Sequence, residues 1–408
     1  MTAADTTLHA PTRTEPSQPR MNRTVIVAAL TLLAAGAAAA FDAAGQRMAV
    51  LYLIGGGLGI ALYHAAFGFT GSWRALLADG RGAGVRAQMV MLAVASAIFL
   101  PALAQGSLFG QGVVGSVAPV GVSVIVGAFV FGIGMQLGGA CASGTLFTVG
   151  GGSTRMIVTL VFFLVGSLLG SLHMPWWLQQ PNVGAISLMR ELGLWGALAL
   201  QLAIFAAIAG ATVWLERRRH GRLLPTSPSL GFSWRRLLAG PWPMVMGGLA
   251  LALLNAATLA VAGHPWNISF GYTLWGAKAA AGLGIDVGSW TFWSWPYPKQ
   301  ALEGPVFAET TSTMNFGIIV GALLAAGLAG RFAPARRIPW KSALAAVIGG
   351  VLMGYGARLA FGCNIGAYFS GIASGSVHGW LWLVAALAGN WIGVKLRPLF
   401  DMAVERAK

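Results

Sequence analysis

Acid is nearly missing from this chain. Only 11 of its 408 residues are Asp or Glu, and all charged residues together make up 9%. The apolar stretches therefore carry almost no carboxylate that could relay protons or ligate sodium. There are just two cysteines, Cys141 and Cys363. They form no Cys-x-x-Cys pair and offer no disulfide framework. No ATP-binding motif is present, so primary pumping would need another subunit. Large soluble loops are lacking too, which argues against a membrane scaffold or sensor.

What fills the chain instead is apolar. At 56% hydrophobic residues, too little polar surface remains to cover one soluble core, and the composition is that of a polytopic membrane protein. The net charge of +15 does not point to nucleic acid, because the basic residues sit in short clusters between apolar runs, as expected of cytoplasmic loops. Residues 1–23 are polar and rich in Thr and Pro and read as a disordered cytoplasmic tail. The run that follows reads as an uncleaved first helix rather than a signal peptide.

The chain writes one motif twice. Shifting by 222 positions (363 minus 141) lays Gly127, Gly132, Gly134, Leu137, Cys141, Gly144 and Phe147 over Gly349, Gly354, Gly356, Leu359, Cys363, Gly366 and Phe369. Agreement in register that includes both cysteines indicates a duplicated unit. An earlier echo, Phe67-Gly68-Phe69-Thr70 against Phe270-Gly271-Tyr272-Thr273, precedes each cysteine segment in the same order.

Runs long enough to cross about 30 Å of hydrocarbon fall near 24–40, 48–66, 87–104, 120–137, 156–172, 193–215, 243–262, 312–330, 342–359 and 378–397. The basic loops (Arg74, Arg81 and Arg86; residues 216–236; Arg331, Arg336, Arg337 and Lys341) all follow even-numbered runs, which places both termini in the cytoplasm. An odd number of spans separates the starts of the two units, so they are expected to lie in the membrane with opposite orientation. The expected fold is all-α: about ten transmembrane helices in an inverted two-fold repeat with short re-entrant half-helices. The division is a tail 1–23, a first helix 24–47 outside the repeat, a first unit 48–172, a connecting helix 173–215, a basic cytoplasmic loop 216–242, a second unit 243–397 and a tail 398–408. The stretch from Trp266 to Gly284 reads as re-entrant or interfacial, followed by a lid whose Trp290, Trp293, Trp295 and Tyr297 sit at headgroup level.

Glycine crowds the chain around each cysteine, and broken backbone at membrane depth is tolerated only where it is buried in protein or lines a wet cavity. Each copy should form a helix end, a turn carrying the cysteine, and a half-helix of roughly eight residues, about 12 Å long. The half-helices should start near Ala142 and Asn364. Their free N–H groups and positive ends make an anion site without a charged side chain, and a thiol at its lip can donate to a soft, sulfur-containing oxyanion. The candidate pathway residues are Gly139, Cys141, Ala142, Ser143 and Gly144 in the first copy and Gly362, Cys363, Asn364 and Gly366 in the second. Arg358, five residues before Cys363, is the one charge expected near membrane depth. It must pair with an anion, a carbonyl or water, or snorkel to an interface. Gly127, Gly132, Gly349 and Gly350 fit helix-packing surfaces.

The GGACASG and FGCNIGA segments, set in two apolar halves, resemble the YeeE/YedE family of bacterial membrane proteins, the sulfur-transport domain proteins. The resemblance spans about Ala49 to Arg397. It implies an inner-membrane permease that passes thiosulfate or a related sulfur compound along cysteines lining a narrowed pathway, with Cys141 and Cys363 matching the motif cysteines. Thiosulfate importers of that family carry a third cysteine in a Phe-Cys-Phe segment. Here Phe67-Gly68-Phe69 has Gly68 at that place, so the resemblance implies a shorter relay or another substrate. No cofactor or metal is expected. The resemblance leaves room for a sulfur-carrier or sulfurtransferase partner on the cytoplasmic side. The alternative function is a membrane thiol oxidoreductase in which Cys141 and Cys363 exchange electrons with a quinone or partner.

Overall fold

The computed structural model describes residues 20–224, 233–335 and 337–404. The expected N-terminal tail therefore lies almost wholly outside the described residues, as do part of the basic loop and the last four residues. Within them, ten helical segments are long and apolar enough to cross a membrane. They begin at Arg23, Gln46, Ala83, Val122, Thr154, Leu188, Met244, Thr310, Trp340 and Val377, each overlapping one of the runs read from sequence. The chain is an all-α membrane protein.

The first half runs through α1 (Arg23–Ala44), α2 (Gln46–His64), α3 (Phe69–Asp79) and α4 (Ala83–Gln105), then α5 (Val122–Gly138), α6 (Ala142–Gly150) and α7 (Thr154–Trp177). The long α8 (Leu188–His220) and the short α9 (Trp234–Ala239) lead to the second half. That half holds α10 (Met244–Ala262), α11 (Ser269–Gly282), α12 (Pro296–Glu303), α13 (Thr310–Leu328), α14 (Trp340–Leu359), α15 (Gly371–Ala373) and α16 (Val377–Leu396).

In lipid, apolar side chains gain little from leaving the solvent, so the helices associate through close backbone packing and internal hydrogen bonds. The duplicated glycines serve the first of these. A Cβ on Gly349 of α14 would fall 2.1 Å from the backbone nitrogen of Gly138, and one on Gly356 would fall 2.4 Å from the carbonyl oxygen of Gly127. Only glycine lets α5 and α14 approach this closely, and the pair forms the central seam of the fold. Around it α7 packs on α14 and α16 on α5, while α2 packs on α13 and α10 on α4. Exchanging the two halves turns each contact in this set into another of the set. Outside it, α1 lies on α2 and α13, and α8 lies on α4.

Two parts depart from the sequence reading. The segment 69–79, taken as part of a basic loop, is the helix α3. It is the counterpart of α11, which at 14 residues is about 21 Å long, too short to span the bilayer. In the outer segment, Trp293 is not a headgroup anchor. It is 1% exposed and donates through Nε1 to Ser171 Oγ at 3.1 Å. Its ring lies against Phe292 and Phe270, because the segment folds back over α7 and α11 and forms a second apolar cluster there. Tyr297 is exposed as expected, and its hydroxyl donates to Glu309 Oε1.

Candidate functional site

The site is built from two interrupted helices. The first, α5, ends at Gly138, and Gly139 takes the left-handed conformation (φ +89°) that turns the chain. The carbonyls left open at this end are capped by Arg155, whose guanidinium donates to Gly138 O at 2.6 Å and Leu137 O at 2.8 Å. Thr159 Oγ1 adds a bond to Gly138 O. Cys141 follows in extended conformation as the N-cap of the nine-residue α6.

The second interruption is sharper. After α14, Phe361 and Gly362 both take positive φ (57° and 155°), and a Cβ on Gly362 would fall 2.6 Å from the backbone nitrogen of Ala367. Cys363 is again the N-cap, here of a π-turn over Asn364–Ser370 that runs on into α15. Both half-helices thus begin at the residues expected from sequence, and the second starts in the wider π form.

Each sulfur faces its own half-helix. Cys141 Sγ accepts from the N–H of Gly144 at 3.4 Å and lies 3.4 Å from Ser143 Oγ. Cys363 Sγ accepts from the N–H of Ile365 at 3.5 Å. The thiols therefore partly cover the amides of the positive ends, and their S–H groups are left to donate elsewhere. Thr145 and Thr148, also polar neighbours in sequence, turn back instead to the carbonyls of Cys141 and Gly144 within α6. The two segments touch one another, and both cysteines are free thiols sealed from solvent, at 1% and 0% exposure.

The echoed motif supplies the walls. Tyr272, near the start of α11, donates its hydroxyl to Ala142 O at 2.9 Å and lies within electrostatic reach of both sulfurs. Phe69, its counterpart at the start of α3, points its backbone N–H toward Cys141 and packs edge-on against Tyr368 of the second half-helix at 5.8 Å between ring centroids. Gly68 is the N-cap of α3 and so comes beside the first cysteine through its neighbour. Gly366 directs its backbone N–H toward Cys363, while its carbonyl accepts from Ser116 Oγ of the 107–118 loop.

Asn364 is the unusual member. It is wholly buried, and neither its Oδ1 nor its Nδ2 has a hydrogen-bond partner among the described residues. An unpartnered buried amide costs about 1–3 kcal/mol, a cost that a bound polar ligand would remove. The first copy has Ala142 at this place, so the two half-helix ends differ chemically. Arg358 is not gathered with these residues. Its guanidinium lies 5.1 Å over the ring of Phe292 in the outer segment, and its Nε is buried without a hydrogen-bond partner among the described residues. Its stem covers Gly170 of α7.

Residues 64–392 match the family model described as "Sulphur transport". The chain belongs to the sulphur transport family. Relatives of this sulphur transport family member include the "Probable transporter YedE" of Escherichia coli strain K12, 30% identical over 172 residues. That match covers 41% of this chain and 41% of the YedE protein, less than half its length. The "Thiosulfate transporter TsuA" of Spirochaeta thermophila is 31% identical over 278 residues, 65% of this chain and 75% of that protein. The protein of the same name from Escherichia coli strain K12 is 25% identical over 289 residues.

This family member also carries buried amides outside the candidate pathway residues. Gln88 Oε1 accepts from Trp73 Nε1 at 3.0 Å and from the hydroxyl of Tyr368 at 3.4 Å. Asn255 ties the second half-helix to the preceding loop, accepting from Trp266 N and donating to Ser370 Oγ. Gln136 donates to Asn390 Oδ1 at 2.6 Å and to Thr70 O at 3.2 Å, holding α5, α16 and α3 together. The signal was present in the sequence: a lone Asn or Gln inside an apolar span must find an internal partner or meet a substrate.

Proposed function

We propose that the chain is a permease for a small sulfur-containing anion of the thiosulfate class across the bacterial inner membrane. The substrate passes between the two cysteine segments. It is held by the amide ends of the half-helices at Ala142, Ser143 and Gly144 and at Asn364 and Gly366, with the thiols of Cys141 and Cys363 as soft donors. Gly139 and Gly362 provide the turns, and Gly68 stands at the wall. In this reading the two units lie inverted in the membrane and both termini face the cytoplasm, where a sulfur carrier or sulfurtransferase receives the substrate.

The observation that carries this is the pairing of two cysteine N-caps on two half-helices in contact at the centre of the fold. No basic side chain donates to either cysteine segment's sulfur among the described residues, so attraction for an anion falls to the helix ends. The names of the relatives add support: YedE and TsuA are described as transporters, and TsuA as a thiosulfate transporter. Those names do not favour a thiol oxidoreductase. The decisive experiment is uptake of radiolabelled thiosulfate, sulfite, sulfate and selenite into proteoliposomes, compared side by side. Accumulation of none of them, with empty liposomes as the reference, would remove the proposal.

A further inference from the structure

Away from the cysteines, the ends of three spans meet around a cavity of about 270 Å³. Met21 just ahead of α1, Leu328 at the close of α13 and Pro241 leading into α10 give it an apolar side. Arg235, Arg236 and Arg331 give it a cationic side, and no carboxylate lies among its described lining residues. Because all three flanking positions are span ends, the cavity sits at the level of the membrane surface.

The helix that carries two of the arginines is made for the same level. Trp234 and Leu238, four residues apart and so on one face of α9, are 73% and 56% exposed. An exposed Trp and Leu beside arginines is the pattern of a helix lying in the interface, with its apolar face in the acyl boundary and its charges among headgroups. Guanidinium groups recognise phosphate oxygens through paired N–H donors. A cavity with one apolar wall and one guanidinium wall, open at that depth, matches a molecule that is phosphate at one end and hydrocarbon at the other.

We propose that this cavity binds the headgroup of an anionic phospholipid, its phosphate against Arg235, Arg236 and Arg331 and its glycerol and upper acyl chain against the apolar side. The site is independent of the transport pathway. Charged pockets between helices at a membrane face are recurrent headgroup sites, and here the lipid would fix α9 against α1 and α13.

The test uses the full-length protein in detergent, titrated with phosphatidylglycerol, phosphatidylcholine and inorganic phosphate, with bound adducts counted by native mass spectrometry. One phosphatidylglycerol should be retained in preference to phosphatidylcholine. Its affinity should fall on the order of a hundredfold in the Arg235→Gln, Arg236→Gln, Arg331→Gln triple variant. Should the triple variant fail to remain monodisperse, the single variants each carry the test, with about fivefold weakening expected. An Arg217→Gln, Arg218→Gln variant, altered at the exposed end of α8, should retain the lipid. Equal retention by the triple variant, equal loss in the α8 variant, or displacement of lipid by inorganic phosphate at matching concentration would each overturn the assignment.

Discussion

The hydroxyl of Tyr272 donates to the carbonyl oxygen of Ala142 at 2.9 Å, a bond that ties the second half's α11 to the half-helix opened by Cys141 in the first. Ala142 O lies in the first turn of that half-helix, so the bond sets where the amide end points. Its ring is fixed in turn by Phe163, 4.6 Å away between centroids and nearly perpendicular. Tyr272→Phe keeps the ring and removes only the hydroxyl. Thermal unfolding in detergent should show a loss of about 1–3 kcal/mol, with uptake of the substrate lowered as the half-helix loses its anchor. Unchanged uptake alongside that destabilisation would limit Tyr272 to a structural role.

Serine in place of either cysteine tests the thiols. The sulfur of Cys141 spans 3.4 Å to Gly144 N and that of Cys363 spans 3.5 Å to Ile365 N, distances natural to sulfur and long for oxygen. Serine would cap its half-helix well, since it is a favoured N-cap, so Cys141→Ser and Cys363→Ser should insert and fold normally. Uptake should nevertheless fall in each, because a hydroxyl lacks the polarisability that suits a sulfur anion. Normal uptake by the double variant would reduce both cysteines to caps.

Asn364 makes the opposite signature. Most buried polar residues stabilise the fold that contains them, whereas this one has no partner for either side-chain atom among the described residues. Asn364→Ala should leave thermal stability unchanged or raise it, because an unsatisfied amide is removed. Apparent affinity for the substrate should drop about tenfold, which corresponds to one lost hydrogen bond of about 1.4 kcal/mol. A variant that is clearly destabilised and transports normally would show that Asn364 serves the fold and not the substrate.

How far sequence alone reaches is visible in these same residues. The ten spans were legible because hydrocarbon thickness sets a length that composition either meets or does not. The half-helix starts at Ala142 and Asn364 were legible because the turns ahead of them use glycine, at Gly139 and Gly362, where the backbone takes positive φ. What packs on what was not. Arg155 as the cap of α5, Trp293 against Ser171 of α7 and Arg358 over Phe292 each depend on a partner in another element. A charge or an indole in an apolar run says that a partner is needed without saying which one. The helix α3 was hidden for a different reason: its 11 residues are too few and too mixed in polarity to stand out as a span, and its burial against α4 and α16 comes from tertiary packing.

The proposed inversion of the two units has its own test. If the two halves are related by an axis in the membrane plane, reporter fusions after Arg86, Arg222 and Arg331 should report cytoplasm. Fusions after Gln111, Asn182 and Lys299 should report periplasm. The packing partners exchange between the two halves, and the fusions read the orientation of each half. A periplasmic signal after Arg331 would break the alternation and with it the inverted arrangement.

Oxidation separates a transport pathway from a redox cycle. As donors along a path, Cys141 and Cys363 act while reduced and need no covalent step. A disulfide between them would consume both donors and pin the two half-helices together, provided their Cα atoms can come within about 7 Å. Mild oxidation should therefore lower uptake in the parent protein, reversibly on reduction, and should leave the residual uptake of Cys141→Ser unchanged because no pair remains to join. An oxidoreductase would behave otherwise: it must pass through the oxidised state in every turnover, so protein trapped in cells would carry a substantial disulfide population by mass spectrometry. That population, found together with quinone-linked thiol oxidation and no anion uptake, would replace the permease with the redox enzyme. Reduced thiols in cells and uptake abolished by oxidation would leave the anion path as the role of both cysteines.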